Sequence, residues 1–208
     1  MKNPTLLSTL WPRLLAILWL AGYGLTPIAH AASKAQPAPP VSPAETYFTN
    51  VLLINQDDKP RHFYRDLLQG KVVIINSFFS ACTGSCPVSM GILAKVQQRF
   101  EKQMGKELHF VSISLDPEMD TPPKLKALAE KLHTGPGWQL LTGDKRNVDF
   151  ALKKIGHFVE DIATHNNTLI VGNETTGLWK KAFTQAGPDA LVEIIASVLD
   201  DTGAPVEN

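Results

Sequence analysis

"KVVIINSFFSACTGSCPVSMGILAKVQQRF", residues 71–100, decides the fold. Its first part, "KVVIINSFF", is a continuous β-branched and aromatic run, the pattern of a strand buried on both faces of a mixed or parallel sheet. After the cysteines, Val88, Ile92, Leu93, Val96, Phe100 and, just beyond, Met104 recur at helical spacing. Pro87 suits the first turn of that helix, because its missing N–H would be unpaired there anyway. Between strand and helix lie Cys82 and Cys86, the only two cysteines in the chain. A cysteine loop therefore joins the C-terminal end of a central strand to the start of a helix, which is where open α/β sheets bind ligands.

The flanking sequence completes the layout. Upstream, "YFTNVLLINQDDKPRHFY" predicts a hairpin around an Asp-Asp-Lys-Pro turn, and "RDLLQG" a brief helical turn. Downstream, "LHFVSISLD" predicts a second buried strand, followed by a loop and a helix starting near Thr121 or Pro122. "WQLLTG" predicts a short strand, and "DKRNVDFALKKIG" a helix with Asp144 as N-cap. "NTLIVG" and "GLWKKAF" predict two strands joined by "NETT", and "GPDALVEIIASVLD" a closing helix. A βαβ unit followed by a hairpin and a final helix is the thioredoxin-like arrangement. The predicted class is α/β, a three-layer sandwich with an N-terminal β-hairpin extension.

The chain has 208 residues, 44% hydrophobic and 19% charged, with zero formal net charge. That balance supports a packed core and offers no basic block for nucleic acid. At the N-terminus, Lys2 and Arg13 precede an apolar run, Leu14–Leu25, and Ala29-His30-Ala31 fits a small-x-small cleavage site. This is the arrangement of a secretory signal peptide over 1–31, cleaved after Ala31, and the run is short of the roughly 20 residues that span a bilayer. Residues 32–45, "ASKAQPAPPVSPAE", read as a linker, 46–201 as the folded domain and 202–208 as a flexible tail. The expected location is the periplasm, with a soluble mature domain near the membrane.

Export makes a structural disulfide the plain explanation for the cysteines. A Cys82–Cys86 bridge, however, closes a very small loop, worth only about 2 kcal/mol in the chain-entropy model. The thiolate-favouring electrostatics of a helix start point instead to Cys86 as a reactive or metal-binding group, with Cys82 in reach. Redox enzymes of this layout place two residues between the cysteines. Here there are three, Thr83-Gly84-Ser85, and the wider bite suits a metal held between two sulfurs.

A third ligand must come from elsewhere. Beyond the leader there are five histidines: His62, His109, His133, His157 and His165. His109 falls in a buried strand and reads as a hydrogen-bonded core residue; His133 ends a helix. His157 follows a helix end and is the second candidate ligand. His165 lies in "IATHNNTLIV", just before the late hairpin, where thioredoxins carry a cis-proline facing the dithiol. No proline occurs between Pro136 and Pro188, so that loop offers an imidazole instead. Met90, one turn after Cys86, reads as core packing.

The segments "FFSACTGSCP", "SISLDPEMDTPPKLKALAEKL" and "THNNTLIVGNETTG" resemble the SCO/SenC family of copper proteins. The resemblance implies a thioredoxin fold and one copper ion, Cu(I) or Cu(II), held by Cys82, Cys86 and His165. It also implies a role in assembling the copper centre of cytochrome c oxidase, with a copper-accepting client, an oxidase subunit, as partner. Asp116, in "SLDPE", matches a family aspartate near the site. Two functions fit the same thiols: a non-enzymatic copper metallochaperone, or a thiol–disulfide oxidoreductase in which Cys82 and Cys86 are the redox-active pair. A thiol peroxidase fits less well, because "NSFFSAC" lacks the threonine-proline environment ahead of the reactive cysteine.

Overall fold

The computed structural model describes residues 42–165 and 167–203. The expected leader, most of the linker and residues 204–208 lie outside that range. Among the described residues no helix is long and apolar enough to cross a membrane.

The order of elements follows the sequence reading closely. A short helix, α1 (Pro43–Phe48), precedes a hairpin of β1 (Leu52–Asn55) and β2 (Pro60–His62). A single π-helical turn, Phe63–Leu68, leads into β3 (Val72–Phe78) and α2 (Cys86–Arg99). Then come β4 (Leu108–Ser114), α3 (Pro122–Leu132), β5 (Trp138–Thr142) and α4 (Lys145–Lys154). The chain closes with β6 (Thr168–Asn173), β7 (Leu178–Phe183) and α5 (Gly187–Leu199).

α1 lies partly in the stretch expected as linker. The local reason is a serine N-cap in Ser42-Pro43-Ala44-Glu45: the Ser42 hydroxyl accepts the Glu45 N–H at 3.0 Å, and the proline occupies the first turn. At α4, Asp144 caps as expected, its side chain accepting the Arg146 N–H.

One seven-stranded sheet runs in the order β2-β1-β5-β4-β3-β6-β7. β3, β4 and β5 are parallel; β6 pairs antiparallel with β3, and β7 with β6. The N-terminal hairpin extends the sheet through an antiparallel β1–β5 pair. Alternation along β3 divides the core. Val72, Ile74 and Phe78 face α2, α3 and α5, while Val73 and Ile75 face α4, α1 and the π-helical turn. These are the three layers the sequence predicts.

The β3–β6 register places the chemistry. Ile75 pairs with Ile170 and Val72 with Asn173. Since the strands are antiparallel, the end of β3 and the beginning of β6 lie at the same edge. Continuing the register sets Asn167 opposite Phe78, so the segment preceding β6 arrives beside the cysteine loop.

Candidate metal centre

After Phe78 the chain leaves the sheet in a tight turn, the Cys82 N–H donating to the Phe79 carbonyl at 3.2 Å. Cys82 is half-buried and Cys86, the first residue of α2, is buried; both are free thiols. His165 is held at the end of a 3₁₀ turn, Ile162–Thr164, which Asp161 caps by accepting the Ala163 N–H at 2.9 Å. The imidazole Nδ1–H donates to the Ile162 carbonyl at 2.8 Å. That fixes the tautomer and leaves Nε2 as a bare lone pair. Nε2 stands 3.0 Å from Cys86 Sγ. The Phe79 ring meets the imidazole edge to face at 5.2 Å between centroids.

The ligand atoms of Cys82, Cys86 and His165 all lie within 4.8 Å of one another, a group that can hold a metal ion. An imidazole whose second nitrogen is committed to a backbone carbonyl is the usual form of a metal-ligating histidine. Beside the sulfurs a cavity of about 220 Å³ runs between α2 and α3, lined by Phe79, Met90, Leu128 and Leu132 among others.

The two thiols are electrostatically unlike. Burial pushes the Cys86 thiol up to about 12, helped by the hydrogen bond with Cys82 and the charge that Cys82 carries when ionised. At Cys82, burial also acts to raise the pKa, but it is outweighed by hydrogen bonds from the Cys86 thiol and the amides of Cys86, Gly84 and Ser85, which hold the thiol below its ordinary value. The expectation of a thiolate at Cys86 is thus reversed. The helix-start amides serve Cys82, while desolvation governs Cys86.

The other sequence candidates fall elsewhere. His157 is only 4% exposed, and among the described residues both its ring nitrogens lack hydrogen-bond partners. It is not in the three-residue donor group. His109 is half-buried, its Nε2 at 3.2 Å from the Lys106 carbonyl. His133 caps α3 in the left-handed conformation, φ 51°. Met90 packs in the core, its sulfur accepting from Asn76 Nδ2 at 3.5 Å.

Asp116 is a turn residue: its N–H donates to Ser114 Oγ, and its carboxylate accepts the Met119 N–H. The acidic group that reaches the cysteine loop is Asp120, which is fully buried. Its carboxylate accepts from the Ser80 N–H at 3.1 Å, the Ser80 hydroxyl, and the Ser114 hydroxyl at 2.6 Å. Both aspartates stand in "LDPEMD", and nothing in that string distinguishes the inward one.

A model of the SCO1/SenC family matches residues 42–195, most of the chain and all three donor residues. A candidate copper-binding protein of Stutzerimonas stutzeri is 27% identical over 114 residues, 55% of this chain and 54% of that protein. A SCO1 homologue of Bacillus subtilis is 28% identical over 141 residues, 66% of this chain and 67% of its own length. Among solved structures, a SCO1/SenC family lipoprotein of Bacillus anthracis superposes with a TM-score of 0.62 at 25% identity, covering 72% of this chain and 92% of that one. With the fold, the cysteine loop and the family match in agreement, the chain belongs to the SCO1/SenC family.

Proposed function

We propose that this chain is a periplasmic copper metallochaperone that holds one copper ion through Cys82, Cys86 and His165 and assists assembly of the copper centre of cytochrome c oxidase. The observation that carries the reading is the approach of His165 Nε2 to Cys86 Sγ at 3.0 Å, with Nδ1 committed to a backbone carbonyl. Two sulfurs and one imidazole are a soft, low-coordinate donor set that suits Cu(I) and, with an added ligand, Cu(II). Structural zinc asks for four protein ligands.

Copper is cargo here. Half-buried Cys82 gives an incoming donor access to the site, while buried Cys86 and the anchored imidazole keep the geometry. The client is a copper-accepting oxidase subunit, as the family resemblance implies. The export reading of residues 1–31 supports the location.

The test is copper analysis and absorption titration of the reduced protein, wild type against His165→Ala. The expected result is one copper per chain for wild type and weakened binding for the variant. Equal retention of both oxidation states by the two proteins would remove His165 from the ligand set. Oxidation to a Cys82–Cys86 disulfide should block Cu(I) uptake, since a disulfide is a poor ligand.

The unlike thiols favour a second reading, a thiol–disulfide oxidoreductase acting on the client's cysteines. An accessible, more acidic Cys82 is the attacking sulfur and Cys86 the resolving one. Turnover of a protein disulfide that is unaffected by His165→Ala would select it.

A further inference from the structure

The segment between the two cysteines has little packing of its own. Thr83 and Gly84 are exposed, and a side chain added at Gly84 would meet no atom within 4 Å. Its shape is therefore imposed from its ends. One end is the first turn of α2, which carries Cys86. The other is Ser80, two residues before Cys82, and Ser80 is held by Asp120.

Asp120 belongs to a compact turn whose backbone is satisfied locally: its N–H donates to the Asp116 carbonyl at 2.8 Å, and the Thr121 N–H to the Met119 carbonyl at 3.1 Å. The side chain is thereby free to point inward. There, one oxygen takes the Ser114 hydroxyl from the end of β4, and the pair grips both the amide and the hydroxyl of Ser80. All these donors are neutral. A fully buried carboxylate satisfied by neutral donors is an expensive way to stiffen a turn, because solvation is lost and no opposite charge replaces it. It does deliver a fixed two-point hold on one residue, which an apolar contact would not.

We propose that Asp120 is the positioning residue for the thiol pair: through Ser80 it sets the Cys82–Cys86 spacing, and so determines how readily the two sulfurs close on each other or share one ligand. This rests on the reading of Cys82 and Cys86 as the acting pair, and its primary test needs no copper. In the apo protein, the Cys82–Cys86 dithiol is equilibrated with oxidised dithiothreitol. Two electrons and two protons pass from the protein thiols to the reagent, leaving a protein disulfide and the reduced reagent. Asp120→Asn, which keeps the shape but turns an acceptor into a donor facing Ser80, should shift this equilibrium constant by about tenfold or more. Ser80→Ala removes one grip and should shift it by a few-fold. The double variant should match Asp120→Asn alone, since the residues act as a unit. Asp120→Glu, with charge restored but placed one methylene further out, should not rescue.

An equilibrium constant within twofold of wild type in both Asp120→Asn and Ser80→Ala, with both folded by circular dichroism, overturns the proposal. So does a shift that is additive in the double variant. Should Asp120→Asn not fold, Ser80→Ala against wild type decides alone. Cu(I) competition on the same variants, expected to weaken in the same order, reports separately on the copper reading. A wild type that binds no copper would end that reading and leave the disulfide result standing.

Discussion

Cys86 Sγ and His165 Nε2 face each other at 3.0 Å across 79 residues of sequence. With Nδ1–H committed to the Ile162 carbonyl, Nε2 turns its lone pair toward Cys86 Sγ, while the Cys86 thiol proton is directed to Cys82. The imidazole nitrogen and the buried sulfur are thereby aimed at the same point in space, beside half-buried Cys82.

Replacing His165 should separate the oxidation states. In His165→Ala the two sulfurs of the proposed site remain and should still satisfy Cu(I), whereas Cu(II) would lose the imidazole nitrogen. Competition titrations should show Cu(II) binding weakened by at least about tenfold, roughly 1.4 kcal/mol, and Cu(I) by clearly less. Equal losses would show the imidazole to be no special ligand for Cu(II).

Alkylation should distinguish the thiols. Cys82 is held below the ordinary thiol range and Cys86 is raised to about 12. Only the thiolate attacks iodoacetamide, so near pH 7.5 the folded, reduced protein should take a single carbamidomethyl group, on Cys82. Cys86 should react only on unfolding or in strong alkali. Peptide mass spectrometry that finds Cys86 labelled first would contradict the assignment.

His157 makes the fold acid-sensitive. Burial, and the charge of nearby Lys181, depress its pKa to about 4. The folded state keeps the ring neutral while the unfolded chain protonates it near 6.5, so stability falls as pH drops below about 6.5 and the loss is complete below about 4. The full effect is on the order of 3 kcal/mol. Urea unfolding at pH 7 and pH 4.5 should show this decline in wild type, and His157→Leu should flatten it. An unchanged slope in the variant would place the acid sensitivity elsewhere.

A buried polar chain under the site should be costly to cut. Trp138 Nε1–H donates to Ser112 Oγ at 2.9 Å, and the Ser112 hydroxyl to Asn76 Oδ1 at 2.6 Å. Ser112→Ala strands a donor and an acceptor inside the core, where Ser112 is fully buried. The expected loss is about 3 kcal/mol, measured by denaturant midpoint at unchanged slope. A loss under about 0.5 kcal/mol would mean that the core relaxes or admits water at that point.

The apolar runs of β3 and β4 and the 3.6-residue pattern of α2 were legible because burial on both faces, or on one stripe, leaves its period in the string itself. So were the thioredoxin-like order and the cysteine loop at a strand end. The short helix at Pro43 was also legible in principle, through Ser42-Pro43-Ala44-Glu45. Composition hides it, since proline and alanine there read equally well as linker.

What the string could not decide is which distant groups meet. His165 and not His157 reaches the sulfurs because β6 runs antiparallel to β3 in one particular register, and register is a property of two strands together. Asp120 and not Asp116 turns inward because the local turn consumes the Asp116 carboxylate in its own backbone. The reversal of thiol acidity follows from burial at Cys86, a quantity that exists only once α2, the cysteine loop and the His165 segment are packed together. Sequence fixes what each side chain can donate or accept; desolvation and distance, which set what it does, arise only in the folded chain.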